Sequence, residues 1–162
     1  MKAVQAIMAV LKSTADQPAM YLSDLSDADL LVRPVPNANH AAWQLGHLIS
    51  AESYLVKQII PDAKYPELPK GFDEQYGKEG STRDTGFLAK AAYLEMFANA
   101  RKATLAAVEK LTDADLDKPV TGNMAKYCPT WGAMLIMVSN HVLMHTGQIT
   151  VLRRKLGKPV LF

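Results

Sequence analysis

The sequence predicts an all-α fold, a four-helix bundle with a long loop between its second and third helices. Three observations predict it. Apolar residues recur at steps of three and four in four long segments, no stretch alternates as a strand would, and prolines and glycines gather between those segments. Four amphipathic helices of that length bury their apolar stripes against one another.

The first helix runs from about Lys2 to Leu25, on Val4, Ile7, Met8 and Leu11, then Met20, Tyr21 and Leu22. Pro18 lacks an amide donor and crowds the preceding turn, so it should kink or interrupt this helix. The second begins near His40, with Asn39 available as N-cap, and reaches about Ile60 before Pro61. The third spans roughly Thr85 to Leu111, with Phe87, Leu88, Ala91, Leu94 and Phe97, then Leu105 and Val108. The fourth starts at Thr130, after Pro129, and keeps helical spacing through Met134, Leu135, Val138, Val142, Ile149 and Leu152. It reaches about Leu156, where Gly157 offers a stop.

The connection from Ile60 to Arg83 holds three prolines and three glycines among aromatic and charged residues. Loops of that length in compact domains are often lids or binding loops. An internal echo adds a second feature: Leu25-Ser26-Asp27-Ala28-Asp29-Leu30 resembles Leu111-Thr112-Asp113-Ala114-Asp115-Leu116, and each precedes a Pro-Val pair. Trp43 and Trp131 follow at nearly matched distances, so the chain reads as two diverged helix pairs, helix one with two and three with four. The aspartates suit short helix starts rather than catalysis.

Composition narrows the function classes. At 162 residues the chain suits one domain over residues 1–162, and 49% apolar with 21% charged residues is ordinary for a soluble globular protein. A net charge of +2, with its lysines and arginines dispersed, leaves no footprint for nucleic acid. No stretch approaches the roughly 20 apolar residues a membrane span needs, and the first residues continue as a helix rather than as a cleaved signal. The lone Cys128 has no internal disulfide partner, which agrees with a reducing cytoplasm, and a small buried filler is its expected role.

His141 and His145 stand four residues apart, hence one above the other on one helical face, and His47 lies in a similar apolar setting on the second helix. Neutral imidazoles so placed can close on one transition metal. One inward histidine is easily satisfied by a carbonyl or hydroxyl; three without a buried carboxylate would be costly unless they share a ligand. Spacing alone leaves both readings open. No glutamate stands between His141 and His145, so the pair departs from the metalloprotease signature. His40 should cap the second helix or face solvent, and Glu52 should be exposed rather than metal-bound. Asp73, Glu74 and Tyr76 lie in the long loop, where they could reach the site, although solvated loop residues are the safer reading; the methionines beside His141 read as core filler. Helical phase places Tyr54 and Gln148 where they could orient a ligand behind the histidines.

The run Trp43-Gln44-Leu45-Gly46-His47-Leu48, followed by His141-x-x-x-His145-x-Gly147-Gln148, resembles the DinB-like, or YfiT-like, metal-dependent hydrolase superfamily. The loop from Gly71 to Ser81 and the Leu-Ser-Asp-Ala-Asp-Leu turn are similar to its members as well. The resemblance implies a four-helix bundle holding one divalent metal (nickel, zinc, iron or manganese) through His47, His141 and His145, and a homodimer. It also implies a thiol S-transferase-like activity, in which a low-molecular-weight thiol activated by the metal attacks a small electrophile. The alternatives are hydrolysis by metal-bound water and a non-catalytic dimer that binds a metal or a small molecule.

Overall fold

The computed structural model describes residues 1–161. Its helices follow in the order α1 (Ala3–Ser13), α2 (Gln17–Leu22), α3 (Asp27–Leu30), α4 (Ala41–Lys57), α5 (Phe72–Gln75), α6 (Lys90–Val108), α7 (Asp113–Leu116) and α8 (Trp131–Lys155). Among the described residues there is no strand, only an isolated bridge of Pro119 to Thr130 that sets the start of α8. The four long helices α1, α4, α6 and α8 form the bundle that the periodicity predicts.

Several boundaries move, each for a local reason. The expected first helix is two: α1 stops at Ser13, and Pro18 sits in the first turn of α2, where its missing N–H leaves no bond unmade. The N-cap of α4 is His40 rather than Asn39, because the His40 Nδ1 accepts the Trp43 amide at 3.1 Å. The third long helix begins at Lys90 rather than Thr85. Gly86 takes a left-handed φ of +82°, and the Leu88 amide donates to the Tyr93 hydroxyl, so Phe87 and Leu88 belong to the connection. Thr130 caps α8, and Gly157 ends it in a left-handed conformation, as expected. The long loop is not structureless, for it contains α5 and a 3₁₀ turn at Glu79–Thr82.

The pairing of helices departs from the repeat. α4 packs against α6 and α8, and α1 packs against those same two, so α1 and α4 stand diagonally instead of side by side. The connection between them includes α2, which packs on α8 and carries the chain across the bundle. The echoed turns form α3 and α7, each closed by a Ser/Thr–Asp capping box. They also cap across the repeat. The Asp27 carboxylate accepts the Lys90 amide at the start of α6 (2.6 Å), and the Asp113 carboxylate accepts the Val4 amide at the start of α1 (2.9 Å).

The core is two apolar clusters separated by a buried polar layer. One cluster gathers Leu45, Ile49, Tyr93, Phe97, Val142 and Ile149; the other gathers Leu11, Val56, Val108, Met134, Leu135 and Val138, with Cys128 as the expected filler. Between them lies Glu52, which the sequence reading put in solvent. It is 3% exposed, with both carboxylate oxygens on Arg101 at 2.8 and 2.9 Å and the Thr104 hydroxyl donating to one of them. Arg101 donates in turn to the Leu11 carbonyl of α1 and to the hydroxyl of Thr14, the residue that caps its end. A fork-on-fork guanidinium pair is the geometry in which a carboxylate can be buried while still charged.

Candidate metal centre

The three predicted histidines meet at one point, between α4 and α8. Their ligating nitrogens all lie within 4.8 Å of one another, with His145 buried and His47 and His141 half-buried. The Nε2 atoms of His141 and His145 face each other at 3.1 Å, and the His47 ring stands edge-on to both.

Two acceptors decide which nitrogens are free. The His47 Nδ1 lies 3.2 Å from the Tyr76 carbonyl, and the His145 Nδ1 lies 3.0 Å from the Gln44 side-chain oxygen. A carbonyl oxygen can only accept, so each Nδ1 carries the proton, and each Nε2 keeps its lone pair for the centre. The amide of Gln44 is itself oriented, since its NH₂ group donates to the Asn39 carbonyl at 2.7 Å. Trp43 stacks on the His47 ring, with centroids 4.7 Å apart and planes 9° off parallel, which fixes the ring from its other side.

Burial keeps these rings neutral. It lowers the His145 pKa to about 3, with smaller contributions from His141 and His47. It lowers His141 to about 4, with help from His47. His47 is lowered by burial too, against the opposing pull of the Tyr76 carbonyl. Neutral imidazole is the form that binds metal. A tetrahedral ion with bonds of 2.0–2.1 Å would hold its nitrogens roughly 3.3 Å apart. The 3.1 Å separation of His141 and His145 is close to that figure, and the full set of three lies within 4.8 Å. The donor set therefore fits a borderline transition metal with open positions beside three nitrogens.

The other expected residues are placed as follows. Tyr54, 55% exposed, stands at the rim of a cleft of about 870 Å³ that touches the centre at His47 and is walled by Ser50, Tyr65, Phe72 and Asp73. Gln148 is exposed on α8, and the hydrogen bonds to His145 and His47 come instead from Gln44 and the Tyr76 backbone. His40 is buried as a cap and its Nε2 bonds the Arg83 carbonyl, so it lies outside the centre. Asp73 is exposed and accepts from Ser50 at 2.6 Å, and Glu74 is exposed, but Tyr76 is only 2% exposed, against the expectation of a solvated residue. Met144 is likewise exposed rather than core filler.

Gln44 is a site residue that sequence reasoning missed, and so is the part played by Tyr76, which it placed within reach of the site but took for a solvated side chain. Gln44 had a signal: three residues before His47, it shares that face of α4 in an otherwise apolar run. The role of Tyr76 had none, because its contribution is a backbone carbonyl set by the fold of the loop.

A profile of the DinB superfamily matches residues 11–149. The chain is similar in fold to YfiT from Bacillus subtilis, described as a probable metal-dependent hydrolase with an unusual four-helix bundle topology, at 14% identity over 96% of this chain and 89% of that one (TM-score 0.72). It is also similar to a conserved protein from Enterococcus faecalis, at 16% identity over 98% and 99% of the two chains (TM-score 0.75). No curated protein matches it in sequence.

Proposed function

The chain belongs to the DinB superfamily, and on that premise we propose that it is an enzyme whose divalent transition metal is held by His47, His141 and His145. The observation that carries the reading is that two Nδ1 atoms lie 3.2 and 3.0 Å from carbonyl oxygens that can only accept, while the ligating nitrogens of all three rings converge on one point. When bound, the ion would act as a Lewis acid and lower the pKa of a thiol or water in its open position.

The chain's own residues do the rest. The substrate, a small electrophile, enters the cleft beside His47, between the outer face of α4 and the loop. Tyr54 and Tyr65 give it aromatic walls to lie against, and Ser50 and Asp73 give it a polar end. Gln44, the Tyr76 carbonyl and Trp43 hold the imidazoles in place while it binds. Transfer of a low-molecular-weight thiol to the electrophile is the leading reaction. Hydrolysis is the second reading, favoured by the description of the Bacillus subtilis neighbour. A homodimer is part of the proposal, supported by the exposed Ile136, Leu143, Met144 and Val151 along α8.

The experiment is metal analysis of protein purified without immobilised nickel. About one transition metal per chain is expected, lost in His141→Ala while the thermal melt stays close to that of the wild type. A mixed or strongly substoichiometric content would overturn the metal reading. Unfolding on chelation would assign the metal a structural role instead. A screen of thiols against electrophilic acceptors, with water as the competing nucleophile, then separates transfer from hydrolysis.

A further inference from the structure

Tyr76 lies in a stretch rich in glycine and charge, yet its ring is packed into the core and the residue makes three anchored contacts. The first is with Gly46, in the middle of α4. A Cβ there would overlap Cγ, Cδ1 and Cε1 of the Tyr76 ring. Glycine inside a helix is disfavoured against alanine, so its presence needs a reason, and the ring occupying that space is one. The second contact is the Tyr76 hydroxyl, 2.5 Å from the hydroxyl of Tyr93, which also accepts the Leu88 amide. The third is the Tyr76 carbonyl on the His47 Nδ1, with the neighbouring Gly77 carbonyl accepting from the Trp43 indole at 3.2 Å.

We propose that Tyr76 is the positioning residue for His47. Seated against Gly46 and latched on Tyr93, it holds its own carbonyl where the carbonyl accepts a hydrogen bond from the His47 Nδ1–H and leaves Nε2 aimed at His141 and His145. The loop is thus a fixed part of the centre rather than a lid over it. His145, held by Gln44 from the other side, is independent of this latch. The consequence for metal affinity rests on the metal reading above; the consequence for the His47 tautomer does not.

The test uses the full chain, free of metal, with ¹⁵N-labelled histidine. Wild type should show His47 as the Nδ1–H tautomer. Gly46→Ala and Tyr76→Ala should each move His47 toward the Nε2–H form and leave His145 unchanged. The double variant should be no worse than the worse single one, because both act through one ring. Titration with Co²⁺, followed by visible absorption, should show affinity about 10- to 100-fold lower in each variant, the usual loss when a partner behind a metal-binding histidine is removed. Tyr76→Phe keeps the ring and loses only the latch, so it should shift both readouts in the same direction by less; it decides the matter if Gly46→Ala does not fold. An Nε2–H tautomer for His47 in the wild type would overturn the proposal. So would folded variants whose His47 shifts match the wild type and whose cobalt affinity stays within about twofold of it. If the wild type bound no cobalt, the metal reading would fall and the nitrogen shifts alone would decide this one.

Discussion

Gln44 on α4 and His145 on α8 are joined by a hydrogen bond of 3.0 Å, which reaches across the packed faces of two bundle helices to fix the deepest imidazole of the centre. The bond commits one ring nitrogen and frees the other.

Replacing Gln44 with Leu should therefore weaken metal binding more than it weakens the fold. About a 10- to 100-fold loss in affinity is expected from the missing partner. The unsatisfied Nδ1–H should cost about 1–3 kcal/mol of stability. Isothermal titration with Zn²⁺ and urea denaturation measure the two separately. Unchanged affinity would show that the bond only fills the core.

Glu52 and Arg101 set a larger stability cost. Glu52→Gln leaves a guanidinium that is 1% exposed without its counter-charge. Breaking a buried pair in this way typically costs about 3–5 kcal/mol. Changing both residues together, as Glu52→Leu with Arg101→Met, should cost clearly less than the sum of the single changes. Additive losses in denaturant melts would rule out the pair as a coupled unit.

The depressed histidines give stability a definite pH dependence. In the fold His141 titrates at about 4 and His145 at about 3, below the 6.5 of a free ring. As pH falls below about 6.5 the unfolded chain takes up protons that the folded chain refuses, so stability present at neutral pH is lost steadily toward pH 3. Metal affinity should begin to fall only well below the range of a free ring, since burial lowers all three imidazoles and so weakens proton competition for them. Denaturation and metal titrations at stepped pH measure both. A fall in affinity starting near pH 6.5 would mean that the rings titrate as they do in solvent.

The two crossed caps should each contribute modestly. Asp27→Ala removes the acceptor at the start of α6 and Asp113→Ala the one at the start of α1. About 1 kcal/mol is expected from each, with the double variant additive because the sites are independent. Thermal melts of the three variants suffice.

The legibility of this chain in its sequence follows the range of the forces involved. The long helices, the Pro18 interruption and the Gly157 stop depend on neighbouring residues, so periodicity and capping rules find them. The convergence of His141 with His145 is also local, a matter of helical phase. Glu52 was misread because its partner lies 49 residues away, and no feature near it announces a buried Arg101. The diagonal of α1 and α4 was misread for the same reason, as the repeat shows what each half is and not which half it touches. Tyr76 escaped because a carbonyl has no letter in a sequence.

The reciprocal caps make the two halves hostages to each other. Each draws one acceptor for the first turn of its opening helix from the other. Losing either cap should therefore speed amide exchange in the first turn of a helix that belongs to the other half of the chain.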